Sequence, residues 1–218
     1  MDLYRTPIPP IIQKILPSGL YCHGPKANNA VYLTFDDGPN EGVTDRVLHL
    51  LEQFDMKATF FCVGENAYKQ NALFKMMGEK GHLMANHTYN HLNGTKAPDV
   101  EYYKNIEQCH QTIPTRLFRP PYGRIRWRQW QVLKKEYNIV LWSVLSGDFD
   151  KRRTPAECAY HVIRHVRPGS IIVFHDSQKA KNNVLEALPR VLEHLSKSNL
   201  SSSTLESLVK PENNNFPC

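Results

Sequence analysis

The 218-residue sequence predicts an α/β protein whose parallel strands curl into an irregular (β/α)7–8 barrel. Three observations carry that expectation. Short runs rich in β-branched and aromatic residues alternate with longer stretches of helical period, the pattern of strand–crossover–strand units with right-handed connections. The runs YLTF, ATFF and IIVF are almost wholly apolar, which suits strands covered on both faces. An open doubly wound sheet would satisfy both of these. The third observation favours the barrel: Asp36-Asp37, His87, Arg119 and His175 each fall at the carboxyl end of a predicted strand, where barrel enzymes assemble their sites.

Taken in order, strands are expected at 31–36, 58–63, 82–86, 117–119, 139–144 and 170–175, with a weak last one near 204–208. Helices are expected at 44–54, 68–80, 100–111, 125–137, 155–166 and 184–195. The first shows an apolar face in Val47, Leu48, Leu50 and Leu51. Thr154-Pro155 places a capping residue and then proline at a helix start. The expected organisation is an extension over 1–30, one catalytic domain over 31–200 and a tail over 201–218, with the Pro- and Ser/Asn-rich ends wrapping the surface or fraying. No internal repeat is visible.

Composition narrows the function classes. A chain this long buries roughly 70% or more of its unfolded surface, enough for a full core without staples. The formal net charge of +6 is spread along the chain and no Lys/Arg block stands out, which argues against a nucleic-acid surface. Cys22, Cys62, Cys109, Cys158 and Cys218 are scattered, odd in number and never in a CxxC pair. That argues against a disulfide framework and a cysteine zinc site, and favours a reducing compartment. Pro7, Pro9, Pro10 and Pro17 interrupt any apolar segment near the start, and no stretch approaches the ~20 apolar residues of a membrane-spanning helix. A cytoplasmic monomer is the expectation, with cell-envelope association as the alternative.

Five clusters carry chemistry. In Thr34-Phe35-Asp36-Asp37-Gly38-Pro39, two adjacent carboxylates end an apolar strand, where burial and mutual repulsion both oppose them. A divalent cation relieves the repulsion, and divergent side chains let one ligate while the other holds water. As turn chemistry alone, Asp-Asp-Gly-Pro is also ordinary. In Asn86-His87-Thr88-Tyr89-Asn90-His91, histidines at i and i+4 would share one face of a helical turn and one metal. Thr88 stands where a zinc protease needs Glu, so that reading fails. In Arg119-Pro120-Pro121-Tyr122-Gly123, the prolines extend the chain, Arg119 can hold a carboxylate bidentately, and the Tyr122 N–H can face an oxyanion. Gly147-Asp148-Phe149-Asp150 is a polar turn after a strand. His175 closes IIVFHD, placed for proton transfer.

Together TFDDGP, HTYNH, RPPYG and FHD resemble the polysaccharide deacetylase family, also called the NodB-homology domain or carbohydrate esterase family 4. The resemblance runs from about Val31 to Asp176. It implies an irregular (β/α) barrel of the NodB type and a divalent metal, zinc first, with cobalt, nickel or manganese as alternatives. It implies Asp36 as base, Asp37, His87 and His91 as metal ligands, Arg119 as the residue orienting the base, Tyr122 as oxyanion donor and His175 as acid. Pro121, Tyr122 and Phe149 would touch substrate. The implied reaction removes N-acetyl groups from N-acetylglucosamine-type units of a glycan, releasing acetate.

The fourth motif departs from the family pattern, which often reads Asp-x-x-Asp-Trp. Here Leu145 replaces the first carboxylate and Phe149 the tryptophan, while Asp148 keeps the second carboxylate that tunes His175. Leu145 is expected to be packing. The competing readings are an O-acetyl glycan esterase, a metal-independent amidase of related fold and a catalytically impaired carbohydrate-binding protein.

Overall fold

The computed structural model describes residues 9–26 and 29–209. Along them run α1 (Pro10–Ile15), β1 (Leu20–Tyr21), β2 (Ala30–Asp36), α2 (Thr44–Gln53), β3 (Ala58–Cys62), α3 (Gly64–Lys69), α4 (Asn71–Glu79), β4 (Leu83–Asn86), α5 (Asp99–Thr112), β5 (Leu117–Phe118), α6 (Trp127–Leu133), β6 (Asn138–Val140), β7 (Val144–Leu145), α7 (Pro155–His165), β8 (Ile171–His175), α8 (Lys181–Lys197) and β9 (Ser201–Ser202), with 3-10 turns at Pro121–Gly123 and Leu205–Leu208. The strand order is β1-β6-β5-β4-β3-β2-β8-β7, every named pair parallel, with β9 added beside the start of β2. This is a parallel sheet curled into a partial barrel. The segment after β1 reaches across its opening: His23 bridges Ser170, and the Gly24 N–H donates to the Gly169 carbonyl at 2.9 Å.

Period-two alternation sorts the strand residues. On β2, Leu33 and Phe35 face outward into the layer beneath the helices, where Phe35 stacks on Phe60 at 5.0 Å and on Phe174 at 6.0 Å. Val47, Leu48 and Leu51 of α2 and Leu188, Val191 and Leu192 of α8 close over them. Burying each such aromatic stabilises the fold by roughly 1.5–3 kcal/mol. The alternate residues Tyr32, Thr34 and Asp36 face the barrel interior. The same alternation turns Arg119, Leu145 and His175 inward from the ends of their strands. Register aligns those ends, with Asp36 directly opposite His175 on β8 and Phe61 on β3.

Several expectations need correction. The run 139–144 is two strands. β6 pairs with β5 and β1, whereas β7 pairs with β8, and the link between them switches partners: the Leu141 N–H donates to Tyr21 and the Ser143 N–H to Ile171. A mostly apolar run predicts a largely buried segment, not one that keeps a single neighbour. The expected helix 68–80 is α3 and α4, parted at Gln70, whose φ of -107° and ψ of 41° leave the helical region. α6 is shorter than expected. The limits of the expected domain cut across the sheet, because β1 lies before residue 30 and β9 after residue 200. The weak strand near 204–208 is a 3-10 turn, tied down by Leu205 N–H to Thr59 Oγ1 at 2.9 Å and by the burial of Leu205. Residues 1–8, 27–28 and 210–218 of the expected extension and tail lie outside the described residues. The Thr154-Pro155 start is as expected, closed by a reciprocal capping box with Glu157, a device worth about 1 kcal/mol.

Candidate active site

The two carboxylates at the end of β2 diverge. Asp36 is 4% exposed and points inward to Arg119, which is fully buried. Arg119 NH1 donates to Asp36 Oδ1 at 2.5 Å and to Thr34 Oγ1 at 2.9 Å, while Nε and NH2 donate to the carbonyls of Val140 and Leu141. Its guanidinium also lies 3.9 Å from the centre of the Phe61 ring. The expected bidentate grip on a carboxylate is therefore a single contact, because backbone carbonyls occupy the remaining donors. Asp36 Oδ2 keeps no protein partner among the described residues, on a side chain that lines the cavity.

Asp37 turns the other way. Its φ is 80°, in the left-handed region that Asp and Asn tolerate better than most residues. Asn40 and Asn66 both donate side-chain amides to its carbonyl, at 3.1 and 2.9 Å. The next residue must be glycine: a Cβ on Gly38 would lie 1.9 Å from Asp176 Oδ2. Asp176 is fully buried and receives the Thr44 hydroxyl at 2.6 Å. Burial is the main reason its carboxyl is pushed up to about 7, against the lowering hydrogen bond from Thr44 and with help from the charge of Asp37.

His87 and His91 follow β4 in a bend, not the expected helical turn. Thr88 and His91 have φ of 66° and 59°, and side chains satisfy the loop's N–H groups: Asn86 Oδ1 accepts from Thr88, Asn105 Oδ1 from Tyr89, and Thr88 Oγ1 from Leu92. The imidazoles still converge. His87 Nε2 and His91 Nε2 lie 3.7 and 3.2 Å from Asp37 Oδ1, and one ligand atom from each of the three residues falls within 4.8 Å of the others.

The donor set fits a divalent ion. His87 Nδ1 is 2.8 Å from the Arg119 carbonyl, which only accepts, so the proton sits on Nδ1 and the Nε2 lone pair faces Asp37. Burial pulls the His87 imidazole down to about 4, against the raising charge of Asp36, so it is neutral at pH 7 as a ligand must be. Burial opposes ionisation of Asp37, but the His91 hydrogen bond and the charges of His175, His87 and His91 outweigh it and hold the carboxyl well below the ordinary range. Three protein ligands leave a position open, as in catalytic zinc sites.

On the far side His175 is clamped by Asp148, whose two oxygens accept from the His175 backbone N–H at 2.7 Å and from Nδ1 at 2.8 Å. Burial alone would lower the imidazole. The charge and hydrogen bond of Asp148, aided by Asp37 and Asp36, raise it to about 9, so His175 carries a proton at neutral pH. Phe149 lies edge-on to it at 5.0 Å. Tyr122 has φ 62° and ψ 9°, and its ring meets His91 edge-on at 4.8 Å. Its backbone N–H donates to no acceptor among the described residues, whereas the N–H groups of Gly123 and Arg124 are used within the turn.

These residues line a cavity of about 680 Å3 that contains Asp36, Asp37, His87, His91, Tyr122, Phe149 and His175. Two expected site residues stand behind it: Asp148 contacts His175 and Arg119 contacts Asp36, and neither lines the cavity. Pro121 is buried and fixes the turn without lining the cavity. Sequence reasoning missed Trp142, which lines the cavity from the β6–β7 link and stands where a Cβ on Gly123 would meet it at 2.4 Å.

Leu145 is 6% exposed, pairs with Val173 and lines the cavity wall. Leu145→Asp, the commoner family residue, should bring no gain in kcat/KM. It should also lower the melting temperature by several degrees, because burying even a protonated carboxyl without a partner costs about 1–3 kcal/mol. A sharp rise in activity would show that Asp148 alone is not enough.

The family model described as polysaccharide deacetylase matches residues 23–138. The chain belongs to the polysaccharide deacetylase family. A peptidoglycan-N-acetylglucosamine deacetylase of Bacillus cereus is 33% identical over 195 residues, spanning 86% of this chain and 70% of that protein. A chitooligosaccharide deacetylase of Bradyrhizobium sp. is 36% identical over 159 residues, 67% of this chain and 70% of that one. Among solved structures, the Bc1960 peptidoglycan N-acetylglucosamine deacetylase in complex with 4-naphthalen-1-yl-N-oxidanyl-benzamide superposes with a TM-score of 0.82 at 32% identity, covering 87% of this chain and 92% of that one. The expected NodB-type barrel is thus the fold of this polysaccharide deacetylase. Among its described residues no helix is long and apolar enough to cross a membrane.

Proposed function

We propose that this polysaccharide deacetylase removes the N-acetyl group from N-acetylglucosamine-type units of a glycan and releases acetate. The observation that carries the reading is the register of β2 against β8. It sets a carboxylate held by a buried arginine opposite a protonated histidine, with three convergent ligand atoms beside them. Asp37, His87 and His91 would hold the ion, zinc first, with cobalt, nickel or manganese as alternatives. When bound, such an ion supplies Lewis acidity, lowering the pKa of water and polarising the acetyl carbonyl.

The chain's own groups do the rest. Asp36, oriented through one oxygen by Arg119, accepts a proton from the attacking water on the other. The Tyr122 N–H donates to the carbonyl oxygen as it gains charge. His175 donates the Nε2 proton to the departing nitrogen, so that an amine leaves and not an amide anion, while Asp148 stabilises the cation before transfer and holds the ring in place. Phe149, Tyr122 and Trp142 give the sugar and acetyl methyl an apolar wall.

Acetate release from N-acetylated glycans, measured with zinc added and after chelation, tests the reading. Release from N-acetyl substrates that stops on chelation is the expected result. Acetate only from O-acetylated xylan would make the chain an esterase, and glycan binding without any release would make it a binding protein.

A further inference from the structure

Asp176 is a fully buried carboxyl that the chemistry above does not use, and among the described residues its Oδ1 has no hydrogen-bond partner. Burying a carboxyl with one oxygen unpaired opposes folding, and apolar groups of the same shape would pack there at no such cost. The residue instead touches both halves of the Asp36-Asp37 pair. Its backbone N–H donates to the Asp36 carbonyl at 3.1 Å. Its backbone carbonyl accepts the Asn40 side-chain amide at 2.9 Å, and the same amide donates to the Asp37 carbonyl at 3.1 Å. The Asp176 side chain reaches Asn40 by a second route. Its Oδ2 accepts the Thr44 hydroxyl at 2.6 Å, which commits the Thr44 proton. The hydroxyl oxygen is then left as an acceptor for the Asn40 backbone N–H, 2.7 Å away. Asp176 therefore fixes Asn40 at the backbone through Thr44 and at the side chain directly.

What Asn40 holds is a ligand in a strained conformation. Asp37 has φ 80°, which a single non-glycine residue keeps only when its surroundings fix it. The peptide plane after Asp37 is pinned by two side-chain amides, from Asn40 and from Asn66 on α3. Release of that plane would let the Asp37 carboxylate swing away from His87 and His91, whose Nε2 atoms its Oδ1 now faces. We propose that Asp176, acting through Thr44 and Asn40, is a positioning residue for the metal ligand Asp37, so that affinity for the ion depends on this buried relay. The proposal rests on Asp37, His87 and His91 being the ligand set. The relay grips the backbone of Asp37, so its signature is a weaker hold on the ion, as when any ligand loses its supporting hydrogen bonds.

The test is a zinc titration of the ion-free full chain against a competing chelator, with the melting temperature of each ion-free protein measured beside it. Asn40→Ala removes the amide from the Asp37 carbonyl. Thr44→Val removes the hydroxyl and keeps the branched shape, and Asp176→Ala removes the acceptor of that hydroxyl. Each should raise the zinc dissociation constant by about 10–100-fold. Thr44→Ser, which keeps the hydroxyl, should restore the wild-type constant. Leu48→Ala, on the core face of α2, should lower the melting temperature and leave the constant where it was. Asn40 is only half-buried, so Asn40→Ala keeps the test decisive where a buried variant fails to fold. An unchanged zinc constant in Asn40→Ala, or in folded Thr44→Val or Asp176→Ala, would make the relay a matter of stability alone and overturn the proposal. So would a Leu48→Ala protein that loses zinc as readily as the relay variants. A wild-type chain that binds zinc through the relay yet releases no acetate would sink the deacetylation reading and leave the proposal standing, whereas a wild-type chain that binds no zinc would sink the ligand set and the proposal together.

Discussion

The His87→Ala protein should purify without a stoichiometric divalent ion and release no measurable acetate. Three observations support so large an effect on metal binding. His87 is almost completely buried, its Nδ1 is committed to the Arg119 carbonyl, and its lone pair converges with Asp37 and His91. Removing it leaves two ligands where a catalytic zinc site uses three. Loss of a residue that merely orients a ligand typically costs about 10–100-fold in affinity or activity, and losing the ligand itself should exceed that. The imidazole is also a buried neutral side chain, so its removal leaves a void that adds a modest stability cost. Metal content per chain, acetate release and a circular dichroism spectrum distinguish the outcomes. Wild-type occupancy of the ion in a folded His87→Ala protein would mean that the ligand set is misassigned.

The candidate site residues that the structure brings together were legible in the sequence because their constraints are local. Asp36-Asp37 had to end a buried strand beside something cationic, and HTYNH had to follow another strand. What local pattern could not supply was the path of the backbone. The HxxxH spacing suits a helical turn, but Thr88 and His91 take left-handed conformations supported by Asn86 and Asn105, and nothing in the motif announces those partners. The run IVLWSVL looked like one strand because apolar residues follow one another along it with only Ser143 between, although its hydrogen-bond neighbours change between Val140 and Val144. Trp142 was lost to the same cause: on a strand it would be core, and only the partner switch brings it to the cavity. β1 and β9 have two residues each, too short for any period to register.

Asp148→Asn should shift the alkaline limb of the kcat/KM profile to lower pH and cut the rate at pH 8 by roughly two to four orders of magnitude, the range of a general acid. In the wild type both Asp148 oxygens accept from His175, one from the backbone N–H and one from Nδ1. An amide offers one acceptor, so the substitution sets a donor against a donor and removes the charge that does most to raise the imidazole. Burial then prevails and carries the His175 pKa from about 9 towards or below the ordinary 6.5. The acid is deprotonated over the range where the wild type works, so the loss should grow with pH. A bound dication offsets the share contributed by Asp37, so the His175 pKa followed by NMR should lie lower in the loaded protein than in the ion-free protein. His175→Ala should lose the limb altogether. Stability follows the same sign. A group raised on folding contributes fully below its unfolded pKa, near 6.5, and loses that contribution as pH rises through about 9. The wild type should therefore lose melting temperature between pH 6.5 and 9.5 more steeply than Asp148→Asn. If the Asn variant keeps both the wild-type limb and the wild-type rate, His175 is not the acid that Asp148 tunes, and the proton reaching the leaving amine must come from elsewhere in the cavity.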